Sequence, residues 1–286
     1  PSIRGNQRSR TIASLLEECR QLLGQGAHEL NLIGQDSSRY GLDLAEPASL
    51  GALVREIDRL EGDFWVRILY THPRYVDDAL IDTLAASRHV VPYLDIPLQH
   101  ISDGVLKTMR RGLGSRETRA LMARLRERWP GVAVRTTFLV GFPGETESDF
   151  SELLDYVTEY RFERLGVFAF SAEPGTPAAA LTEGVVPAEE AQARRDAIMA
   201  RQQEIATAMN QALVGRTLRV LVDGTERPGR YLGRTSADAP EIDNVVHLRG
   251  PRGALEGSFA EVRIDKASAY DLTGTAVRTT RQRGPR

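Results

Sequence analysis

The chain has 286 residues, of which 41% are hydrophobic and 27% are charged, and its formal net charge at pH 7 is −2. This length allows one large core and a small second domain, and the composition is that of a globular protein. The near-neutral charge gives no general attraction to nucleic acid. Because no apolar run could span a bilayer and no signal-peptide core is present, a cytoplasmic location without a membrane partner is expected.

From Thr11 to Phe170, helical and strand patterns alternate, as in the βα units of a parallel sheet. The predicted helices cover residues 11–24, 48–60, 73–87, 103–111, 115–129 and 146–160, and a long helix follows over 187–213. The predicted strands cover residues 28–34, 65–70, 90–96, 132–140 and 164–170. This order predicts an α/β fold in which the strands form a partial, open TIM-like β/α barrel.

Beyond Gly215 the pattern changes to short β-rich segments separated by Gly, Pro and Asp. These segments cover residues 217–222, 231–235, 245–248 and 259–264. Regular short strands with turn signals predict a small all-β barrel of OB-like size. We therefore divide the chain into a β/α domain over residues 1–213, a β domain over 214–275, and a basic tail over 276–286 that is expected to be disordered.

The most informative turn follows the fourth predicted strand, where an apolar run ends at Gly141 and passes through Pro143-Gly144 into a helix. Thr146 and Asp149 have the spacing of a helix capping box. Glycine and proline let backbone N–H groups approach a ligand at the carboxyl end of a parallel strand, which is where ligands bind in such sheets. An ordinary strand–helix connection is the alternative for this turn taken alone.

Polar loops follow all five predicted strands, and each contains hydrogen-bonding groups with Gly or Pro. They begin at Gln35-Asp36, Tyr70, Pro97, Gly141 and Ser171. Loops after parallel strands are often polar, but five together predict one pocket for a polar ligand that spans several strands. Among the histidines only His100, beside Gln99, is placed in this site, because the five histidines have no metal-ligand spacing. The one cysteine, Cys19, lies on the apolar face of its predicted helix and excludes a cysteine metal site within this chain.

Together these loops resemble those of the radical S-adenosylmethionine methylthiotransferases, a family of transferases, over nearly the whole chain. The resemblance rests on Pro1–Gly5, Arg8–Arg10, Leu32–Gly41, Val91–Asp103, Met109–Gly112, Phe138–Thr146, Val167–Thr176 and Asp238–Asp243. The last segment lies in the β-rich end, which looks like a TRAM domain. The resemblance implies the open barrel of the radical S-adenosylmethionine type.

Two subfamilies share most of these motifs. The segments Asp95–His100 and Asp238–Asp243 look like the RimO family, which modifies an aspartate on small-subunit ribosomal protein twelve. The other subfamily modifies isopentenylated adenosine in transfer RNA and typically carries Pro-Val-Gln-Ser-Gly-Ser at the first place. Residues 215–275 hold nine basic and nine acidic residues. A domain that grips transfer RNA should be basic, so this balance favours docking of the TRAM-like domain on a ribosomal protein over nucleic acid.

The resemblance also implies the chemistry of the parent enzyme. There, a 4Fe–4S cluster cleaves S-adenosylmethionine to a radical that abstracts hydrogen from the aspartate β-carbon, and a methylthio group is then added. An electron donor such as flavodoxin or ferredoxin is the implied partner, and a monomer is expected. The three cluster cysteines of the family precede the position that matches Pro1, together with the first barrel strand and a domain that holds a second cluster. With Cys19 alone, the chain is expected to be an N-terminally truncated, inactive form.

Matching motif positions assigns the site residues. The cofactor would contact Gln35 and Asp36 at its methionine end or ribose, Gln99 near the ribose, the backbone of Gly141, Phe142, Pro143, Gly144 and Glu145 at the adenine, and Phe168 and Ser171 at the adenine border. His100 and Arg135 are predicted to face the substrate aspartate, since an arginine suits a carboxylate by bidentate pairing. For Arg135, a structural ion pair on its strand is an equal alternative.

Three other functions remain open at this point. The nearest alternative is the transfer-RNA (isopentenyladenosine) methylthiotransferase. Mass spectrometry on ribosomal protein and transfer RNA would distinguish it from the ribosomal-protein enzyme. The chain could also act as a non-catalytic module whose TRAM-like end docks on the ribosome without any S-adenosylmethionine pocket. An unrelated barrel enzyme is the third, but it leaves the dense motif match unexplained.

Overall fold

A computed structural model of the chain describes residues 5–251 and 255–280. Within these ranges a parallel sheet has the strand order β1-β2-β3-β4-β5. Its strands are β1 (Glu29–Leu32), β2 (Trp65–Ile68), β3 (Val90–Asp95), β4 (Ala133–Val140) and β5 (Arg164–Ala169). The helices are α1 (Ile12–Gly24), α2 (Leu50–Ile57), α3 (Asp78–Ala86), α4 (Asp103–Thr108), α5 (Ser115–Arg128), α6 (Glu147–Tyr160) and α7 (Ala188–Gln211). The predicted open β/α barrel is confirmed.

One face of this sheet carries the main hydrophobic core. Alternate residues of a strand point to opposite faces, so Val66, Ile68 and Leu94 share the core that also contains Leu121 of α5 and Leu153 of α6. The helices present their apolar stripes to this face. Thr146 and Asp149 form the predicted capping box at the start of α6.

The second domain is a closed barrel of strands ordered β10-β8-β7-β6-β9. The strands are β6 (Thr217–Arg227), β7 (Arg230–Thr235), β8 (Val245–Arg249), β9 (Phe259–Ala267) and β10 (Asp271–Thr280). The predicted disorder of residues 276–280 is wrong, because they complete β10 and pair with β9 as far as Phe259. The four arginines of the tail suggested a solvated segment, but Thr273, Thr275 and Val277, which alternate along β10, are strand formers. Residues 281–286 lie outside the described ranges.

The barrel packs on the second face of the sheet, at the amino-terminal ends of the strands. Trp65 and Tyr93 of the sheet share a small buried cluster with Leu221, Ala239 and Phe259 of the barrel domain. At the other side of the contact, the Asn210 side chain near the end of α7 donates to the backbone oxygens of Ser268 (2.9 Å) and Ala269 (3.0 Å). The barrel therefore closes the base of the sheet.

Within the two described ranges, no helix combines the length and the apolar character needed to cross a membrane.

Candidate functional site

The loops at the carboxyl ends of the five strands form one continuous edge, which we call the rim. Backbone hydrogen bonds join each loop to the next strand end or loop. They run from Ser37 N to Tyr70 O (2.9 Å), from Thr71 N to Asp95 O (3.0 Å), from Gln99 N to Thr137 O (2.8 Å) and from Phe170 N to Val140 O (2.8 Å). The strand-end loops that the sequence analysis singled out are therefore neighbours in space, on one side of the sheet.

The loop after β1 presents Gln35 and Asp36 at the rim. Gln35 is exposed and makes no side-chain hydrogen bond to the described residues, whereas Asp36 is half-buried. The Asp36 carboxylate accepts from Ser38 N (3.2 Å) and caps the short 3-10 helix Ser37–Arg39. Ser37 Oγ donates to Leu69 O (2.6 Å) and ties the loop to β2. Gln35 is thus available to a ligand, while Asp36 has one structural duty already.

Two rim residues have left-handed backbone conformations, with φ of 59° at Tyr70 and 72° at Gln99. Such angles are uncommon outside glycine and concentrate at functional sites. The Gln99 backbone is held at both its N–H and its C=O by β4, with Leu139 N donating to Gln99 O at 2.7 Å. Tyr70 N donates to the Asp95 carboxylate at 2.9 Å, and the ring of Tyr70 is 46% exposed. Sequence reasoning assigned Gln99 a ligand contact but named Tyr70 only as the start of its loop, because no sequence signal reports the sign of φ.

The turn after β4 uses its own N–H groups. The Glu145 carboxylate accepts from Gly141 N (2.7 Å) and Phe142 N (3.3 Å), and Gly144 N donates to Gly184 O (2.8 Å). Glu145 N donates back to Phe142 O (2.9 Å), and Pro143 has no N–H to offer. The expectation that this turn offers N–H groups to a ligand therefore does not hold. The backbone groups of this turn that can still bind a ligand are carbonyl oxygens.

Glu145 and His100 lie beneath the rim, with side chains that have no exposed surface. Glu145 Oε1 pairs with Arg194 Nη1 of α7 at 2.8 Å, and Ser102 N donates to His100 Nδ1 at 3.0 Å. Burial lowers the pKa of His100 to about 4, so its Nε2, 3.8 Å from Glu145, forms no ion pair at pH 7. Burial also raises the pKa of Glu145, although Arg194 opposes this. The prediction that His100 faces a substrate is corrected, because a side chain without surface contacts none.

Arg135 lies below the rim, on the face that the barrel covers. Its Nη1 is 3.0 Å from the carboxylate of Asp95, and its Nε is 3.5 Å from that of Asp243. Of the two roles left open by the sequence, the ion pair on the strand is present in the structure. The contact with a substrate aspartate stays a prediction.

The last strand end has one accessible aromatic ring. Phe168 of β5 is 61% exposed, and Ser171 is exposed in the following loop. Phe142 is buried instead, with its ring edge-on to Phe170 at 5.0 Å between centroids. Phe168 and Ser171 can therefore border a ligand, whereas Phe142 supports the turn from below.

The base of the sheet holds a network of buried ion pairs that the sequence did not reveal. Arg164 Nε donates to Asp238 at 2.9 Å, and Tyr93 Oη donates to Asp243 at 2.7 Å. Glu29 pairs with Arg67 at 2.7 Å and with Arg234 of the barrel at 2.7 Å. We call Glu29, Arg67, Tyr93, Arg135, Arg164, Arg234, Asp238 and Asp243 the basal network. Asp238 and Asp243, which belong to the nine acidic residues counted in the TRAM-like domain, thus form ion pairs inside the molecule and are not available to a basic protein partner.

An iron–sulfur cluster does not fit the residues that this chain provides. Cys19 is buried against the core on α1, and cluster ligation requires several thiolates. In residues 5–251 and 255–280, no group of three or more His, Cys, Asp or Glu side chains is arranged to hold a metal ion.

Comparison with known families agrees with this architecture. The profile of the Radical SAM superfamily matches residues 1–157, and that of the TRAM domain matches residues 214–277. The chain belongs to the Radical SAM superfamily.

Two relatives carry the same name, ribosomal protein uS12 methylthiotransferase RimO. The protein from Anaeromyxobacter sp. (strain Fw109-5) is 46% identical over 100% of this chain and 61% of its own length. The protein from Opitutus terrae is 46% identical over 95% of this chain and 59% of its own length. The chain thus spans about three fifths of the relatives it matches. Among solved structures, the radical S-adenosylmethionine methyltransferase TsrM from Kitasatospora setae aligns with 56% of this chain and 29% of its own, at a TM-score of 0.45 and 22% identity.

Proposed function

We propose that this chain is the part of a methylthiotransferase that positions S-adenosylmethionine and an aspartate of ribosomal protein uS12. The observation that carries the proposal is the continuous rim, on which Gln35, Tyr70, Gln99 and Phe168 lie at the ends of β1, β2, β3 and β5. A ligand with a sugar, a base and an amino-acid end needs contacts from several strands, and the rim offers them. The identity of 46% to proteins named RimO supports this reaction among those of the superfamily.

The proposed cofactor contacts follow from which groups are available. Gln35 and Asp36 would hold the methionine end or ribose, and Gln99 would reach the ribose. Phe168 and Ser171 would border the adenine, whose amino group would donate to carbonyl oxygens of the turn Gly141–Glu145. Hydrogen bonds to neighbouring strands hold the left-handed backbones of Tyr70 and Gln99, so these two segments would need little rearrangement on binding.

The radical chemistry belongs to an iron–sulfur cluster and bound S-adenosylmethionine, and this chain holds no ligand set for the cluster. The work proposed for the chain is to bind, to orient and to exclude water. Electrons would come from a donor such as flavodoxin or ferredoxin. The outer surface of the TRAM barrel would contact uS12, and there Glu241 and Glu256 are exposed carboxylates for a basic partner, unlike the buried Asp238.

The test is mass spectrometry of uS12 and of transfer RNA from a strain that lacks the gene. We expect the methylthio group to be absent from the uS12 aspartate and to remain on transfer RNA. Complementation with the wild-type gene should restore it. The Gln99→Ala gene should restore at least about tenfold less methylthio-uS12 than the wild-type gene, because reactants held in the wrong position react orders of magnitude more slowly. Gln203→Ala, an exposed glutamine on α7, is the matched control and should behave as wild type. Loss of the modification from transfer RNA instead would overturn the proposal.

A further inference from the structure

The rim carries a group of arginines that have no carboxylate partner. Within the described residues, no acidic group lies within 4.0 Å of the cationic nitrogens of Arg39, Arg74, Arg110 or Arg111, which follow β1, β2 and β3. On α5 the situation is the opposite. Ion pairs there involve Arg116, Arg119, Arg124, Arg126 and Arg128. Arginines without a carboxylate partner also occur elsewhere in the described residues, such as Arg55 and Arg88, so what marks the rim is that several of them follow three neighbouring strands.

Arg111 is the least compensated member of this group. Its Nη2 donates to Pro97 O at 2.8 Å, but its Nε has no exposed surface and no hydrogen-bond acceptor. Its Nη1 makes no hydrogen bond to the described residues. Burial lowers the pKa of Arg111, with the charge of Asp36 opposing. A half-buried guanidinium with one carbonyl partner is costly to keep, and an anionic ligand would remove much of that cost.

Two neighbours mark where such a ligand would bind. Gly112 has a φ of 74°, and a Cβ placed there would lie 3.3 Å from Nη1 of Arg74, so the two arginines flank the same stretch of rim. The pKa of His72 is lowered by burial and then by the charge of Arg111, which places a neutral imidazole near that guanidinium. Asp36 is the acidic group that acts on both Arg111 and His72.

We propose that Arg111, with Arg74 beside it, forms a carboxylate-binding subsite of the rim. Arginine binds carboxylate with directed, charge-assisted hydrogen bonds, and the position between the loops of β1, β2 and β3 faces the proposed ligands. The inference rests on the proposed function, in which two carboxylates reach the rim. One is at the methionine end of the cofactor, and the other is the side chain of the target aspartate.

The test compares probe pairs that differ only in the carboxylate, by isothermal titration against the full 286-residue chain. The first pair is S-adenosylhomocysteine and its decarboxylated analogue. The second is a uS12 peptide with the target aspartate and the same peptide with asparagine. In one of the two pairs, Arg111→Met should lower the affinity for the probe that bears the carboxylate at least about tenfold. The affinity for the other probe of that pair should stay within about twofold of the wild-type value. The pair that responds identifies the source of the carboxylate.

Matched variants separate this role from general effects of charge and folding. Arg110→Met removes an adjacent, exposed arginine that also has no ion pair, and it should not change the affinity for any of the four probes. Arg111→Lys should give a loss of affinity between those of wild type and Arg111→Met. Equal affinities in Arg111→Met and wild type, or an equal loss in Arg110→Met, would overturn the subsite alone. If the wild-type chain binds no adenosyl probe and no peptide, the proposed function fails, and the subsite fails with it.

Discussion

At the base of the sheet Arg67, Arg135 and Arg164 each face a carboxylate, whereas at the rim Arg74 and Arg111 face none. The two ends belong to the same strands and lie only a few residues apart along each of them. At the base, the partners come from both domains, with Glu29 and Asp95 in the sheet and Asp238 and Asp243 in the TRAM domain. At the rim, no hydrogen bond or ion pair between the described residues joins the strand-end loops to the barrel. The comparison indicates that charge is satisfied internally where the two domains meet and is left available where ligands are proposed to bind.

The difference has an energetic meaning. A buried ion pair is weak evidence for net stability, but removing one partner is strongly destabilising because a charge is left without compensation. An exposed arginine without a partner contributes little to stability and can be changed at small cost. The base should therefore be sensitive to substitution in stability, and the rim in binding.

The largest effect is expected for Asp238→Ala at the base. Asp238 has no exposed surface, and its loss removes the carboxylate that is hydrogen-bonded to the buried Arg164 guanidinium, leaving only the more distant charge of Asp243. We expect the free energy of unfolding to fall by about 3–5 kcal/mol in urea titrations. The control is Asp82→Ala, which breaks an exposed pair with Arg128 and should have a far smaller effect because water screens it. Equal losses in the two variants would contradict the assignment of the base as the sensitive end.

The next effect concerns the turn after β4. Gly141 has a φ of 72°, and a Cβ at this position would overlap the Cβ of Ala191 on α7. Gly141→Ala should therefore destabilise the protein by about 2–4 kcal/mol, from the left-handed backbone and the overlap together. Gly144→Ala, with a φ of 90° and open space around the added Cβ, should cost about 1–2 kcal/mol. Thermal unfolding of both variants would measure the difference, and identical shifts would show that α7 yields to the added methyl group.

A pH effect is expected from His100 beneath the rim. Its folded pKa of about 4 lies below the ordinary value near 6.5, so the unfolded chain binds the proton more readily between these values. The stabilisation from the neutral imidazole is complete above pH 6.5 and is lost as the pH falls toward 4, by about 2–3 kcal/mol. Urea unfolding at pH 7, 6, 5 and 4.5 should show this slope in wild type and a flatter one in His100→Gln. Parallel curves for the two proteins would mean that His100 is not held neutral.

The smallest effect on stability should come from the rim arginines. Arg74→Met and Arg110→Met remove exposed side chains that have no ion pair, and each should change the free energy of unfolding by no more than about 0.5 kcal/mol. Arg67→Met changes a fully buried side chain beside Glu29. Its free energy of unfolding should fall several times more than that of either rim variant. Denaturant titrations of the three variants side by side are sufficient. A loss in Arg74→Met that matches Arg67→Met would remove the distinction between the two ends.

Local features were well predicted from the sequence, since they depend on residues close in the chain. The strands over 65–70 and 164–170 and the helix over 115–129 were found within a few residues of β2, β5 and α5. The capping box of Thr146 and Asp149 followed from spacing alone. β10 was missed because the arginine-rich tail that includes its end suggested solvent, although its alternation of Thr and Val fits a strand.

Pairings across long separations could not be predicted. Arg164 and Asp238 are 74 residues apart, and Tyr93 and Asp243 are 150 apart, so no local pattern joins them. The burial of His100 and the loss of the turn's N–H groups to Glu145 also depend on how loops and α7 pack. For the candidate site, the strand ends could therefore be predicted from the sequence, but the accessibility of their polar groups could not.

The two hydrogen bonds from Asn210 to the β9–β10 connection have a consequence for how the molecule works as a whole. They anchor the end of α7 to the barrel at the point where a hinge would otherwise lie. A ribosomal partner bound by the TRAM domain would thus be held at a fixed distance and angle from the sheet. The distance between the two domains, rather than the affinity for the partner, would then decide which residue of that partner reaches the strand ends.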